Sequence, residues 1–315
     1  MKIIFRVDGG FKIGMGHIIR CISIYNAFKK RFNDLEAFFL IKKEADGISF
    51  LRKKHFKIIS HLSIKPNLVI LDMNNPKEED LKIFKNYPLV CIDSNNLAEK
   101  YADILIDANK ENKDTSSKPK RLYGSDYVVI REEFLPYRET KSKKDKILIT
   151  FGGSDPLNLT EKVLLLLKDL ENLEFNVIIG PSAKVSISNI EKIIKNAKSK
   201  FNLFFNPDNL VDIFSETFLA ISSGGITLYE LAYLGIPSII ISQAKHQIAI
   251  AEKFEKLKVG INLGMGDKVK KEKLIKVLLE LLENPLRRNL MSKKAKDLVD
   301  GKGLERIINE ISAVL

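Results

Sequence analysis

The sequence predicts an α/β protein of two lobes, each built on a parallel sheet with helices on both faces. Short apolar runs alternate with longer amphipathic segments through almost the whole chain. Strands that are apolar on both faces and alternate with helices are typical of parallel sheets. The chain has 315 residues, which is long for one hydrophobic core and typical of two domains. These observations together predict two Rossmann-like lobes.

The predicted strands form two series that are separated near the middle of the chain. The first series is Lys2–Val7, Ala37–Ile41, Leu68–Leu71, Leu89–Ile92, Ile104–Ile106 and Tyr127–Ile130. The second series is Lys146–Phe151, Phe175–Ile179, Asn202–Phe205, Phe218–Ile221, Ser238–Ile241 and Gly260–Leu263. Predicted helices between them include His17–Phe32, Leu159–Leu170, Thr227–Leu234, Gln247–Leu257 and Glu272–Glu283. Because both halves repeat the same order of strand, loop and helix, we expect similar lobes and a ligand cleft between them.

Two polar stretches interrupt the pattern. Glu139–Lys146 (ETKSKKDK) precedes the second series and is predicted to be the end of the interdomain linker. The N-terminal lobe is therefore expected to span residues 1–142 and the C-terminal lobe residues 143–315. The other stretch, Lys110–Lys120 (KENKDTSSKPK), is predicted to be a surface loop.

Composition excludes several classes of protein. Lys and Arg (52) outnumber Asp and Glu (40), which suits anionic ligands but is also typical of a solvated Lys-rich surface, the interpretation we favour. The two cysteines, Cys21 and Cys91, cannot build a disulfide framework or a zinc site. No apolar run is long enough to span a bilayer, and the N-terminus is predicted to be a strand rather than a signal peptide. We expect a cytoplasmic protein without a membrane span.

The first predicted strand leads into a glycine-rich loop and then a helix. Gly14 and Gly16 allow the backbone to turn tightly and to approach a substrate closely. The start of the following helix offers backbone N–H groups and a partial positive charge. The glycine spacing matches neither the dinucleotide-binding fingerprint nor the P-loop.

His17 lies in the first turn of that helix. The helix dipole there favours a neutral imidazole, which can accept a proton as a general base. Asp8, at the end of the preceding strand, is predicted to orient His17 or to face the same cleft; the alternative is a histidine that only caps or packs. Arg20 shares the helix face of His17 and is predicted either to contact the substrate or to pair with a carboxylate.

Two further strand-to-helix junctions are rich in Gly and Ser, and their backbone N–H groups can bind a diphosphate without a metal. The predicted binding residues are Gly152, Gly153, Ser154, Ser223, Gly224, Gly225 and Thr227. Glu230 is placed to accept hydrogen bonds from two ribose hydroxyls, or else to compensate the helix dipole. Gln247 either binds sugar hydroxyls or is solvated. Asp-x-Asp does not occur, so we predict a mechanism with no metal and no cofactor.

Five segments resemble the UDP-sugar hydrolases of pseudaminic acid biosynthesis, which cleave UDP-2,4-diacetamido-2,4,6-trideoxy-β-L-altropyranose. The segments are Ile13–Cys21 (IGMGHIIRC), Leu105–Asn109 (LIDAN), Gly124–Phe134 (GSDYVVIREEF), Phe151–Thr160 (FGGSDPLNLT) and Ser223–Pro237 (SGGITLYELAYLGIP). They occur in the family's order along the chain. The last is shared more widely, including with the N-acetylglucosaminyltransferase that completes the peptidoglycan lipid precursor.

The resemblance implies a GT-B-like fold whose C-terminal lobe holds UDP. It implies inverting hydrolysis at the anomeric carbon, with UDP leaving and no metal required. It places water activation at His17 and ribose binding at Glu230. The chain departs from the family's common pattern at Arg6–Gly10 (RVDGG), at Asp93–Ser94 and at His246, all near where the sugar is expected.

Two alternatives remain open from the sequence. The first is a UDP-sugar-dependent glycosyltransferase of GT-B type, in which His17 deprotonates a hydroxyl of a lipid or sugar acceptor instead of water. The second is a binding module for nucleotides or RNA. Nucleic-acid surfaces interleave aromatic residues with Arg, whereas the positive charge here is mostly Lys, so we expect no nucleic-acid partner. The oligomeric state is not determined by the sequence, and a monomer is the working expectation.

Overall fold

The computed structural model describes residues 1–11, 13–42, 45–73, 75–110, 118–139 and 145–315. Most of the predicted surface loop Lys110–Lys120 and of the predicted linker Glu139–Lys146 lies outside these ranges. The chain divides into two compact units, which we describe separately. Unit 1 comprises Met1–Arg131 and Gly301–Leu315, and unit 2 comprises Glu132–Asp300.

Unit 1 contains a sheet of seven parallel strands in the order β3-β2-β1-β4-β5-β6-β7. Its strands are β1 Lys2–Val7, β2 Glu36–Leu40, β3 Lys57–Ile59, β4 Leu68–Asp72, β5 Leu89–Ile92, β6 Ile104–Asp107 and β7 Lys120–Tyr123. Its first helices are α1 Gly16–Arg31, α2 Ala45–Lys53 and α3 Glu78–Lys82. The strand order reverses between β1 and β4. Ligands of such sheets bind beyond the carboxyl ends of the strands at this switch point.

Unit 2 contains a sheet of six parallel strands in the order β10-β9-β8-β11-β12-β13. Its strands are β8 Lys146–Thr150, β9 Glu174–Ile179, β10 Lys200–Phe205, β11 Thr217–Ser222, β12 Ser238–Ser242 and β13 Gly260–Met265. Its helices are α4 Leu159–Leu167, α5 Ile187–Lys195, α6 Leu210–Ser215, α7 Ile226–Tyr233, α8 Lys245–Lys256, α9 Lys271–Glu283 and α10 Pro285–Leu298. The switch point of this sheet lies between β8 and β11.

Apolar residues of β1 (KIIFRV) point to both faces of the first sheet. Ile3, Phe5 and Val7 pack into one hydrophobic cluster of unit 1, and Ile4 packs into another. Successive strand residues point to opposite faces, so a sheet covered on both sides needs apolar residues at nearly every position. The predicted fold class, two Rossmann-like α/β lobes, is confirmed. No helix in the described ranges combines the length and the apolar character needed to cross a bilayer.

The last helix, α11 (Gly303–Ser312), belongs to unit 1. Its residues Ile307 and Ile311 join the core that also contains Ile18 of α1. The backbone of Gly303 lies directly against Val128, because a Cβ atom at Gly303 would be 2.1 Å from the Val128 carbonyl oxygen. The division predicted between residues 142 and 143 therefore differs from the observed units. An amphipathic pattern shows that a helix buries one face, but not which sheet receives it.

The predicted strand Tyr127–Ile130 is wrong. Ser125–Tyr127 is a short 3₁₀ helix, and Val128–Ile130 is buried without strand pairing. An apolar run indicates burial, and here α11 contributes to it instead of a neighbouring strand. The short edge strands β3 and β7 were not predicted, since β3 has only three residues and β7 begins with two charged ones.

Candidate functional site

The loop before α1 places His17 at the carboxyl edge of the first sheet. Gly10 and Gly14 exchange two backbone hydrogen bonds, at 3.1 and 2.8 Å, and Gly14 has a φ of +89°. Glycine adopts this left-handed conformation without strain, so the chain turns and α1 begins at Gly16. The amide of Gly14, predicted to bind substrate, donates to Gly10, which gives Gly14 a conformational role. His17 is the second residue of α1, beside the switch point.

His17 is hydrogen-bonded to Asp72, the last residue of β4. The distance from His17 Nδ1 to Asp72 Oδ1 is 2.6 Å. Burial by itself would raise the pKa of the fully buried Asp72 carboxyl, but the charges and hydrogen bonds of Arg20 and His17 lower it to about 2. An ionised carboxylate only accepts hydrogen bonds, so Nδ1 of His17 carries the proton. The lone pair of a neutral His17 ring is then on Nε2, where a general base needs it.

Arg20 holds Asp72 from the other side. Its Nε donates to Asp72 Oδ2 at 2.7 Å, and its Nη2 donates to Asp72 Oδ1 at 2.6 Å. The remaining nitrogen, Nη1, donates to Asp93 Oδ2 at 2.5 Å. Burial would lower the pKa of Arg20, but the two carboxylates raise it well above its ordinary value. The Arg20 side chain is 9% exposed, so the structure favours the ion pair and not the predicted substrate contact.

Asp8 does not contact His17, which corrects the expectation that it orients the ring. Arg6 Nη1 and Nη2 donate to Asp8 Oδ1 and Oδ2 at 2.8 and 2.9 Å. Asp8 follows directly after β1 and is two residues from Arg6, so both side chains point to the same side of the sheet, while α1 packs on the side of Val7. The orienting position therefore belongs to Asp72, which the sequence analysis missed. The sequence feature that could have indicated Asp72 is an acidic residue directly after the apolar run Leu68–Leu71.

At the second switch point, the start of α4 is occupied by a side chain of its own loop. Asp155 accepts hydrogen bonds from the backbone N–H groups of Leu159 at 2.7 Å and Thr160 at 2.8 Å. Burial raises the pKa of the Asp155 carboxyl, while these hydrogen bonds act in the opposite direction. The prediction that this helix start presents its N–H groups to a diphosphate is therefore corrected.

The residues Gly152, Gly153 and Ser154 form the loop between β8 and that capped helix start. Gly153 accepts a hydrogen bond from the amide of Ser182 at 2.8 Å. A Cβ atom at Gly180 would lie 2.2 Å from the Gly152 carbonyl oxygen. The loop is thus held closely against the turn after β9, and its part in ligand binding stays a prediction.

The start of α7 is arranged differently. Gly225 precedes the helix, no described side chain caps it, and its first turn contains no acidic residue. No atom of the described residues lies within 4 Å of the position that a Cβ atom at Gly225 would take. Gly224 lies against α8, since a Cβ atom there would be 2.7 Å from the carbonyl oxygen of Gln247. The segment Ser223–Thr227 therefore presents a helix start suited to an anion.

Glu230 is the fifth residue of α7 and is 1% exposed. A residue that compensates the helix dipole lies in the first turn and is usually solvated, so this alternative does not describe Glu230. Its predicted contact with ribose stays a prediction.

Gln247 is half-buried, and its side chain is hydrogen-bonded within the protein. Its Oε1 accepts from the backbone N–H of Gln243 at 2.8 Å, and Gln243 Nε2 donates to the Phe151 carbonyl oxygen at 2.7 Å. Gln243 thus links the loop after β8 to the start of α8. Three buried atoms nearby in the fold, Ser222 Oγ, Ser242 Oγ and Gln243 Oε1, have no hydrogen-bond partner among the described residues. Gln243 was not predicted as a site residue, although a polar residue just after an apolar strand could have indicated it.

The comparisons with known proteins agree with this fold. The crystal structure of Acinetobacter baumannii MurG superposes with a TM-score of 0.70, at 15% identity, over 99% of this chain and 100% of that one. Protein MJ1062 of Methanocaldococcus jannaschii is 34% identical over an alignment of 276 residues that covers 78% of this chain and 57% of MJ1062. The chain thus spans little more than half of that relative's length.

A third comparison confirms the resemblance seen in the sequence. The UDP-2,4-diacetamido-2,4,6-trideoxy-beta-L-altropyranose hydrolase of Campylobacter jejuni is 26% identical over 273 residues, covering 80% of this chain and 95% of the relative. Residues 147–310, just over half of the chain, match the family model of the glycosyltransferase family 28 C-terminal domain. The chain therefore belongs to the family of proteins that carry a glycosyltransferase family 28 C-terminal domain.

Proposed function

We propose that the protein is a UDP-sugar hydrolase. In this proposal it releases UDP from UDP-2,4-diacetamido-2,4,6-trideoxy-β-L-altropyranose by inverting attack of water at the anomeric carbon. The observation that carries the proposal is the hydrogen bond between His17 and the ionised Asp72 at the switch point of the first sheet. The name of the C. jejuni relative supports this choice of substrate.

Unit 2 is the proposed nucleotide-binding unit. The uncapped start of α7 suits a diphosphate, because its N–H groups and dipole attract negative charge. Ser223–Thr227 then lie beside the phosphates, and Glu230 binds the ribose hydroxyls. Most of the match to the glycosyltransferase family 28 C-terminal domain falls in this unit, which supports the assignment.

The chemical step needs one base and a stabilised leaving group. His17 Nε2 accepts a proton from water as the water oxygen bonds to the anomeric carbon, and the bond from that carbon to the diphosphate oxygen breaks. The electron pair of that bond stays on UDP, where the amide dipoles at α7 stabilise it. Asp72 stabilises the imidazolium without accepting its proton. The imidazolium then returns its proton to solvent.

The test is to follow the anomeric proton of the substrate by NMR with the purified protein, with and without EDTA. We expect free UDP and free sugar in both samples. In His17→Ala, kcat should fall by about 10²–10⁴ because the base is lost, while UDP affinity stays unchanged. His61→Ala is the matched control, since His61 is exposed and outside the site.

A second variant separates binding from chemistry. Glu230→Ala should mainly raise KM, because a ribose contact is similar in the ground and transition states. The opposite pattern would be a large loss of kcat in Glu230→Ala and a raised KM with unchanged kcat in His17→Ala. That result would contradict both assigned roles.

A glycosyltransferase is the second candidate, favoured by the family of the C-terminal domain. In that case His17 deprotonates an acceptor hydroxyl. Intact substrate in the NMR assay, combined with measurable UDP binding, would support the transferase and contradict the hydrolase.

A further inference from the structure

We propose that Arg20 and Asp93 are positioning residues: they hold Asp72 against His17 and keep its negative charge effective when His17 takes up a proton. The inference rests on the proposed function only in assigning His17 as the base.

The four side chains form one continuous chain of contacts across three elements. His17 and Arg20 lie on α1, Asp72 ends β4, and Asp93 follows β5. Arg20 uses two nitrogens on Asp72 and its third on Asp93. A guanidinium bound through all three nitrogens is held in one plane, so it also determines the orientation of the Asp72 carboxylate.

The backbone places Asp93 for this contact. Asp93 has a φ of +47°, a left-handed conformation that is uncommon for residues other than glycine. Its N–H donates to the Ile106 carbonyl oxygen at 2.9 Å, and the hydroxyl of Ser94 donates to the Met73 carbonyl oxygen at 3.1 Å. The loop after β5 is therefore tied both to β6 and to the residue that follows Asp72. Such a conformation persists only where the surroundings hold it, often at functional sites.

The charge balance explains why a second carboxylate is useful. With Asp72 alone, the charge of Arg20 would cancel that of its partner, and an imidazolium at His17 would face a neutral pair. With Asp93 present, the two carboxylates and one guanidinium carry a net charge of −1. Protonation of His17 then brings the network to neutrality, which is the state reached after water has given up its proton.

The other titratable groups near the network do not supply that charge. The Cys21 thiol lies 3.8 Å from Asp72 Oδ2, and burial followed by the charge of Asp72 raises its pKa, so it stays neutral. Beyond Asp93, burial and then the charge of Asp93 raise the pKa of Asp107. Lys110 lies 3.6 Å from Asp107 and offsets its charge.

Asp93 is the more exposed of the two carboxylates that Arg20 binds. Its side chain is 20% exposed, whereas Asp72 is fully buried. Its second oxygen, Oδ1, is buried with no hydrogen-bond partner among the described residues. A buried acceptor without a partner costs free energy, and a functional role of the Asp93 carboxylate would explain why the fold tolerates that cost.

The first experiment needs no substrate. Protein labelled with ¹³C and ¹⁵N in its four histidines is titrated by NMR, and His17→Gln assigns the His17 ring. In Asp93→Asn, the pH midpoint of the His17 ring should move downward relative to the wild type, because one negative charge is lost. Asp93→Glu should restore it. Asp80→Asn is the control, as Asp80 is a buried carboxylate paired with Arg6 and Lys42 outside the network.

The second experiment measures hydrolysis. In Asp93→Asn, kcat should fall by about 10²-fold through misplacement and lost charge, while KM stays within roughly threefold because no substrate contact is removed. Arg20→Lys retains the charge but not the planar fork. It should lose kcat with a smaller change in the titration of His17.

The outcomes separate this inference from the proposed function. An unchanged His17 midpoint in a folded Asp93→Asn protein, or wild-type kcat in Arg20→Lys, would overturn the positioning role. A shifted midpoint in a protein whose wild type releases no UDP would overturn the hydrolase proposal and support the network. Loss of the near-UV circular dichroism of Asp93→Asn would mean that this variant does not fold. In that case the positioning role is tested by comparing Asp93→Glu with Arg20→Lys.

Discussion

Replacing Asp72 with Asn keeps the shape of the side chain and removes its charge. Each oxygen of Asp72 accepts a hydrogen bond from Arg20, and Oδ1 also accepts from His17. The NH₂ group of an asparagine must take one of these two positions, where it meets an N–H of Arg20. In the Oδ1 position it would also favour the His17 tautomer with the proton on Nε2, which leaves Nε2 unable to accept a proton from water.

The loss in activity can be estimated from these contacts. A hydrogen bond to a charged group contributes about 1.5–3 kcal/mol, and the wrong tautomer removes the base from part of the population. We therefore expect kcat of Asp72→Asn to fall by about 10²–10⁴, as for loss of a general base. The assay is UDP release at saturating substrate, with Asp80→Asn as the control for a buried ion pair. A kcat within roughly tenfold of the wild type, in a folded protein, would refute the orienting role.

The same residue predicts how stability depends on pH. The pKa of Asp72 is lowered from 3.8 to about 2 in the folded protein, so the ionised form stabilises the fold by about 2 kcal/mol at neutral pH. Because the folded pKa is the lower one, this stabilisation is complete above about pH 4 and is lost as the pH falls towards 2. Urea unfolding across this range should show a steeper acid loss in the wild type than in Asp72→Asn. Equal slopes would contradict the ionised, buried state.

Two further predictions concern unit 2. Asp155→Ala should lower the free energy of unfolding by about 1–2 kcal/mol, since the backbone N–H groups of Leu159 and Thr160 lose their cap. Chemical denaturation measures this free energy, and unchanged stability would show that the cap is dispensable. Gly224→Ala should weaken UDP binding by about tenfold or more, because the new Cβ would lie 2.7 Å from the Gln247 carbonyl oxygen and displace the loop before α7. Titration calorimetry with UDP measures this, and wild-type affinity would show that the loop is not part of the proposed nucleotide site.

Local patterns were sufficient for most of the fold. The apolar run Lys2–Val7 is a strand with its predicted bounds, and α1 begins one residue before the predicted start at His17. These features depend on residues close in sequence, because strand alternation, glycine turns and helix periodicity act over a few residues. The cap by Asp155 is equally local, and an Asp ahead of an apolar helix could have indicated it from the sequence.

The partner of His17 could not be predicted in this way. Asp8, Asp72 and Asp93 all stand at the ends of predicted apolar strands, so the sequence treats them alike. Their different distances from His17 arise from two features of the fold. The strand order places β4 next to β1 and β5 next to β4, and α1 packs on one side of this sheet.

Local backbone preferences and burial are enough to predict the class of fold, the helix start that carries His17 and the glycine-rich junctions. They are not enough to predict that Asp72 rather than Asp8 binds the imidazole, that Arg20 binds carboxylates, or that α11 packs in unit 1. Which side chains meet depends on strand order and on which face of a sheet each residue occupies. Those properties are set by packing between segments that are far apart in the chain.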